Sequence, residues 1–400
     1  MKKKTTTSPL PPILMISSER YPHHDTNTQQ VIKNATAMRA VGVPVELLIP
    51  VQKKSFWTPS YDTAQAVYTY YNVPPILPIR ELRNVVPAGD WRLEKFFHSF
   101  GAVLYAFFFR KKAIIYTRNK FAAILCILLG KKFIFETYRR LGDDYPRAMR
   151  WFARRAQKDS FVGMVLHSHV SKDSMLRAGL PAEKLLVLHN GFDRADMEPR
   201  LSKTEARRKL GLDLAQNYVV YTGNMQKNKC IESLIDIAAD TPDIRFLLVG
   251  GRAEDLERLQ SYAAAKGVKN VSFPGRQPIG VVSEYLYAAD ALIIPPVSAP
   301  LEKFGRTVLP FKIFPYLAAG RAIVAPDLPD MRELLIHRKN ALLVEPDNPK
   351  QNARALRELF ANPDLMNTIA QNARETSKGL TWEARGEKFK TWYEHRMSAR

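Results

Sequence analysis

The chain's 400 residues carry 60 lysines and arginines against 39 aspartates and glutamates, a formal net charge of +21, with 46% hydrophobic and 25% charged residues. That length suits two domains of roughly 200 residues each rather than one core, and the composition is that of an ordinary globular protein, which argues against long disorder. Two widely separated cysteines, Cys126 and Cys230, argue against a disulfide framework or structural zinc and read as buried thiols in a reducing compartment. The positive field draws polyanions such as anionic lipid, phosphorylated substrate or nucleic acid, but no nucleic-acid-binding module is recognisable.

Met1–Pro12 is a basic tail without an apolar signal core. Beyond it, apolar runs alternate with helix-length amphipathic stretches, the pattern of βαβ units and parallel sheets. Strands are expected at Ile13–Ser17, Val45–Pro50, Ala113–Thr117, Lys132–Glu136, Gly163–His167 and Leu185–His189. Helices are expected at Thr28–Val41, Phe121–Leu129, Arg147–Lys158 and Lys172–Ala178. The longest apolar run, Phe96–Phe109, is about 14 residues and too short to span a bilayer. It reads either as a buried helix or as an aromatic, basic-flanked face resting on lipid. The clusters Lys2–Lys4, Arg110–Lys112, Lys131–Lys132, Arg139–Arg140 and Arg154–Arg155 suit a membrane surface.

A second series begins near Asn217. Its strands are Tyr218–Thr222, Arg245–Val249, Val271–Phe273, Ala291–Ile294, Ala322–Val324 and Ala341–Val344. Its helices are Ile231–Ala239, Ala253–Lys266, Val281–Ala288, Phe311–Ala319 and Lys350–Phe360. The polar segment Arg194–Gln216 carries the boundary, giving domains at 1–195 and 213–378. A last helix at 381–397, capped by Thr381, puts Trp382, Phe389, Trp392 and Tyr393 on one face. So much aromatic surface must pack on something, and the first domain is the expected partner.

Two segments carry chemistry. In Tyr221–Cys230 a strand runs through Gly223 toward a helix. Ligands of a doubly wound sheet bind just beyond such carboxyl ends, and Lys229 adds charge where an anion is already favoured. The bland alternative is a strand turn with a solvated lysine. In Glu302–Ala325 a loop with Gly305 and Arg306 enters a helix whose free N–H groups would seat a pyrophosphate. Here the alternative is an ordinary packing helix, with Ala318 and Ala319 close to the sheet and Gly320 as its stop.

Taken in order, Gly223–Lys229, Leu247–Gly251, Val271–Gly275, Ala288–Asp290, Tyr316–Gly320, Asp327–Leu334, Asn340–Asp347 and Thr381–Glu383 resemble the C-terminal half of the family 4 retaining glycosyltransferases. Leu185–Asp193 and the strand endings near Ser17, Asn119 and Glu136 resemble the other half more loosely. The resemblance implies an α/β fold of GT-B architecture: two Rossmann-like domains facing across a cleft, with the last helix crossing back to the first. It implies retaining transfer from a UDP- or GDP-linked sugar, without cofactor or metal. Donor contacts would fall to Gly223, Asn224, Lys229, Arg276, Gly305, Arg306, Thr307 and Lys312. Lys229, Arg306 and Glu302 would be catalytic. A glycan or lipid-linked acceptor of cell-envelope synthesis would lie against Asp25, Thr26, Asn27, Arg118, Glu136 and Tyr138, with His23 and His24 as further acid–base candidates. The enzyme would be cytoplasmic and peripheral at the inner face of the membrane. The chain departs from the family in three respects: Tyr138 stands where a histidine is common, His23–Thr28 stands where many relatives have a glycine-rich acceptor loop, and a glutamate is missing. The second of two glutamates spaced by eight falls on Pro315 when counted back from Gly320, or on Pro310 when aligned on Phe304–Gly305. That departure keeps a degenerate nucleotide-sugar-binding protein open, beside an epimerase or phosphorylase-like enzyme. It also requires the Phe311–Ala319 helix to begin close to Pro315.

Overall fold

The computed structural model describes residues 9–23, 25–51, 63–83, 93–299, 309–398 of the chain. They form two compact units, one of residues 1–190 with 382–400, the other of 191–381. In the first unit the order is β1 (Ile13–Ile16), α1 (Thr26–Ala40), β2 (Val45–Pro50), α2 (Thr63–Tyr71), β3 (Ile79–Leu82), α3 (Leu93–Phe109) and β4 (Ile114–Thr117). It continues with α4 (Lys120–Leu129), β5 (Phe133–Thr137), α5 (Leu141–Asp144), α6 (Pro146–Ala156), β6 (Phe161–Leu166), α7 (His169–Arg177) and β7 (Leu185–Val187). All strands are parallel, in the order β3-β2-β1-β4-β5-β6-β7. The strand alternation sorts side chains onto two apolar layers: Leu14 and Ile16 pack on one face of β1, Ile13 and Met15 on the other. β3 was not expected. Its sequence Ile-Arg-Glu-Leu buries no side chain, so an edge strand of this kind carries no apolar run to read.

In the second unit the order begins with α8 (Lys203–Lys209), β8 (Asn217–Gly223), α9 (Glu232–Ala239), β9 (Ile244–Gly250), α10 (Ala253–Ala265), β10 (Val271–Gly275) and α11 (Ile279–Ala288). β11 (Ala291–Ile293), α12 (Ile313–Ala319), β12 (Ala322–Pro326), β13 (Leu342–Val344), α13 (Pro349–Phe360) and α14 (Pro363–Ser377) complete it. The parallel order is β10-β9-β8-β11-β12-β13. Direction of growth reverses between β8 and β11, so this is the switch point where ligands of such sheets bind. The α/β architecture of two parallel sheets is as expected.

The segment expected to carry the boundary, Arg194–Gln216, falls within the second unit. Ser202 and Glu205 form a reciprocal capping box that starts α8. Buried Arg207 then donates to Asp290 at 2.6 Å and to the Ala288 carbonyl at 3.0 Å. Lys203 reaches the other Asp290 oxygen at 2.6 Å, and the Tyr218 amide donates to the carboxylate at 2.8 Å. The charged residues Lys203 and Arg207 of this segment are thus anchors, and the break lies at Asn190/Gly191.

The last helix, α15 (Trp382–Ser398), packs on the first unit as expected. Gly386 sits so close to α1 that a Cβ there would lie 2.7 Å from the Ala37 carbonyl oxygen. Phe389 and Tyr393 are fully buried, Phe389 meets Tyr116 edge-on, and the Tyr393 hydroxyl donates to Pro11 at 2.9 Å.

Candidate functional site

In the second unit, the site is built where β8 ends. Gly223 has φ +139°, and Gly250, its register partner on β9, lies against its backbone: a Cβ on Gly250 would stand 2.1 Å from the Gly223 oxygen. Only glycines permit this conformation and approach. The Tyr221 hydroxyl donates to the Asn224 carbonyl at 2.7 Å, tying down the turn. Tyr316 from α12 accepts the Thr222 amide at 2.8 Å, which fixes α12 against the end of β8. Arg258 donates to the Met225 carbonyl at 2.7 Å and pairs with Glu232.

This frame places Lys312, immediately before α12. Its Nζ lies 3.7 Å above the Tyr221 ring and 3.1 Å from where a Cβ on Gly223 would be. Among the described residues no carboxylate pairs with it. Burial of the ammonium, with Lys229's charge added, pushes its pKa well below the ordinary lysine value. Half-buried Lys229 comes from the turn Lys227–Lys229, three residues before α9. The structure therefore brings Gly223, Lys229 and Lys312 together at the switch point. Asn224 is exposed on the same turn, and Arg276 is exposed just past β10, the edge strand, at the same end of the sheet. Glu302, Gly305, Arg306 and Thr307 lie outside the described residues. Helix α12 begins at Ile313, with Pro315 in its first turn where the missing N–H costs no helical bond. This is the placement expected for that proline.

The first unit gathers charge of another kind. Glu136, at the end of β5, is 4% exposed. Its carboxylate accepts from Tyr116 at 2.9 Å, His167 Nε2 at 2.7 Å and Arg385 of α15 at 2.9 Å. Arg385 also donates to Asn34 at 2.9 Å, to the His189 carbonyl at 2.8 Å and to the Leu188 carbonyl. Burial would raise the Glu136 carboxyl, but Arg118, His167 and Arg385 outweigh it and hold the group far below the usual carboxylate range. Burial lowers His167 to about 4 despite its bond to Glu136, so the ring is neutral and donates through Nε2. Glu136 was expected at the acceptor surface. It is instead the centre of a satisfied internal cluster, because Arg385 reaches it from the far end of the chain.

Around this cluster, Arg118 donates to Gln30 at 2.8 Å and lies 5.9 Å over the Tyr138 ring. Both are half-buried at the carboxyl ends of β4 and β5. Asp25 is the N-cap position of α1, Thr26 its first residue, and both are exposed; Asn27 donates to Glu19 at 3.3 Å. His23 is half-buried beside Asp25, and His24 lies outside the described residues. Arg118, Tyr138 and the start of α1 remain as the solvent-reaching polar groups of this end, while Asn34, His167 and Arg385 were not anticipated. A lone arginine on a helix carries no sequence signal for a partner 249 positions away.

Residues 202–376 match the family described as glycosyl transferases group 1. A D-inositol 3-phosphate glycosyltransferase from Corynebacterium urealyticum is 30% identical over 228 residues, 54% of this chain and 49% of that protein. The chain spans about half the length of the curated relatives it matches. Among solved structures, HepE from Anabaena in complex with UDP aligns with 97% of this chain and 100% of that one, at 18% identity and a TM-score of 0.71. Sucrose-phosphate synthase from Thermosynechococcus elongatus aligns over 97% and 100%, at 18% identity and a TM-score of 0.72.

Proposed function

The second unit matches the glycosyl transferases group 1 over residues 202–376, and from that premise we propose that the chain transfers a sugar from a nucleoside diphosphate sugar to a glycan or lipid-linked acceptor. The observation that carries this reading is Lys312. A lysine without a carboxylate partner among the described residues, held against the Gly223 turn beside a second cation, is electrostatically incomplete until an anion arrives. A diphosphate supplies two adjacent charges, and the turn offers close backbone approach. HepE, of like fold, was solved with UDP, which makes a uridine or guanosine donor the first to test.

As the bond from the sugar's anomeric carbon to the diphosphate oxygen breaks, negative charge grows on the leaving group. Lys312 and Lys229 would stabilise it, with Arg306 a further candidate from the resemblance alone, and preorganised charge of this kind is often the largest contribution to catalysis. The acceptor hydroxyl forms the new bond to the anomeric carbon and passes its proton to the departing phosphate. That route retains configuration and uses neither an enzyme nucleophile nor a metal. The first unit would hold the acceptor near Arg118, Tyr138 and the start of α1. Work on a lipid-linked acceptor in cell-envelope synthesis would place the enzyme peripherally at the inner face of the cytoplasmic membrane. No helix among the described residues is long and apolar enough to cross it.

By the resemblance a proline, Pro315 or Pro310 depending on register, stands where the family carries a ribose-binding glutamate, and a degenerate site that binds donor without turnover is the rival. Calorimetry with UDP, GDP and ADP, followed by release of labelled sugar with and without acceptor, separates the two. Failure to bind any of the three sinks both readings. Binding without transfer leaves the rival standing, and release without acceptor identifies an epimerase-like reaction.

A further inference from the structure

The pair α3–α4 shows both faces of the Phe96–Phe109 ambiguity. Ala102, Val103 and Ala106 are completely buried against the sheet, and His98 and Ser99 are buried with them. The opposite side is aromatic and exposed: Phe108 is 59% exposed, Phe109 75%, and Leu128 of α4 68%. Phe96 meets Phe121 at 5.2 Å between ring centroids, so the two helices run side by side and their apolar sides join. Of fifteen large hydrophobic side chains exposed among the described residues, nine lie on these two helices. A single exposed phenylalanine needs no explanation, but a contiguous aromatic patch does.

The rim decides what covers it. Lys111 and Lys112 follow α3, Lys132 follows α4, and Arg147, Arg150 and Arg154 project from α6; all six are exposed, and among the described residues none joins an ion pair. The neighbouring acidic groups are already paired, Asp143 with Arg177 and Asp144 with Arg139. An apolar aromatic face rimmed by uncompensated cations complements an anionic lipid surface, whose headgroups meet the cations while the rings enter the acyl boundary. The site-proximal end of the face also starts at the right place. Phe121 stands three residues beyond Arg118, at the carboxyl end of the strands.

We propose that the outer face of α3 and α4 docks this protein on an anionic bilayer, with Phe108, Phe109 and Leu128 entering the membrane and the α6 arginines resting on its headgroups. The docking stands on the face itself; only its use in presenting a lipid-linked acceptor to Arg118 and Tyr138 rests on the function proposed above.

The test is flotation of the full chain with vesicles of phosphatidylcholine alone or mixed with phosphatidylglycerol, at low and high salt. Wild type is expected to float with the anionic vesicles and to be weakened by salt. Two variants are compared: Phe108→Ser/Phe109→Ser/Leu128→Ser and Lys111→Glu/Lys112→Glu. Each should lose about tenfold or more in vesicle binding, with unchanged melting temperature and unchanged UDP binding. In Phe108→Trp, the new indole's fluorescence should shift to the blue on anionic vesicles and be quenched by brominated acyl chains. Wild type that ignores anionic vesicles, or a triple serine variant that floats as wild type does, overturns the proposal. So does a wild-type dimer in sedimentation that the triple variant alone abolishes, since the face would then be a self-association surface. Absence of binding to UDP, GDP and ADP alike alongside normal flotation would instead overturn the glycosyl-transfer reading and leave the docking face intact.

Discussion

The two units handle charge in opposite ways at the same place in the same kind of sheet. At the strand ends of the first, Glu136 is enclosed by Tyr116, His167 and Arg385, and every oxygen has a donor. At the strand ends of the second, no carboxylate among the described residues pairs with Lys312, and burial, with the charge of Lys229 added, lowers its proton affinity. The first arrangement is complete in the folded chain and holds a terminal helix in place. The second, under the function proposed above, is completed by an anion from outside. Under that proposal, charge at the strand ends marks structure in one half and a ligand in the other, and what distinguishes them is whether the described residues supply the counter-charge.

That contrast can be broken most forcefully at Arg385. Arg385→Ala strands the Glu136 carboxylate and should cost about 3–5 kcal/mol of stability, measured by urea unfolding. Arg385→Met combined with Glu136→Met should recover much of it, because an apolar pair leaves no orphan charge. A loss below about 1 kcal/mol would mean that the cluster does not hold α15.

The next effect is acid sensitivity. Burial lowers His167 and His98 to about 4, while an unfolded histidine titrates near 6.5. Below pH 6.5 the unfolded chain therefore binds protons that the folded chain refuses, and stability falls as pH drops toward 4. Each histidine should remove about 2 kcal/mol between pH 6.5 and 5. Glu136, held low, adds its own loss only at still lower pH. Unfolding curves at pH 7 and 5 for wild type and His98→Phe measure the share of that ring; identical slopes would show that His98 titrates normally in the fold.

In the second unit the sign of a charge deletion reverses. Lys312→Met keeps the apolar stem on Tyr221 but removes the uncompensated ammonium, so the melting temperature should hold or rise. Affinity for the nucleoside diphosphate should fall about 10- to 100-fold, the range for one charge-assisted bond. A variant that melts lower and binds as well would reverse the assignment. The smallest effect sharpens the same point. Because Lys312 is depressed when unliganded and an anion restores its affinity for protons, binding should take up protons, and affinity should decline as pH rises, by at most about tenfold per unit. Calorimetry in buffers of different ionisation enthalpy reads the proton count directly, and a count of zero would show that Lys312 is already charged before ligand arrives.

Much of the fold was legible because periodicity is local. The βα alternation, the Gly223 turn, the start of α12 close to Pro315 and the aromatic face of α15 all follow from residues a few positions apart. Two missed elements differ in kind. α14 had a readable signal, Asn362 followed by Pro363: Asn362 caps the helix by accepting from the Leu365 amide, and proline suits its first turn. β3 had none, since its place at the edge comes from pairing with β2. Of the site, Lys229 and Lys312 could be marked from a resemblance, yet nothing in their spacing says that Lys312 lies above Tyr221 within reach of the charge of Lys229.

By itself, then, the sequence determined the class of fold, the two-part organisation and the turn on which an anion can rest, because hydrophobic period and glycine conformation act over single elements. Only the tertiary structure decided that Glu136 is an anchor rather than a contact, that residues 191–212 belong to the second unit, and that Lys312 goes unpaired among the described residues. Each depends on partners brought from distant elements, and whether a buried charge is neutralised is a property of those neighbours, not of the residue that bears it.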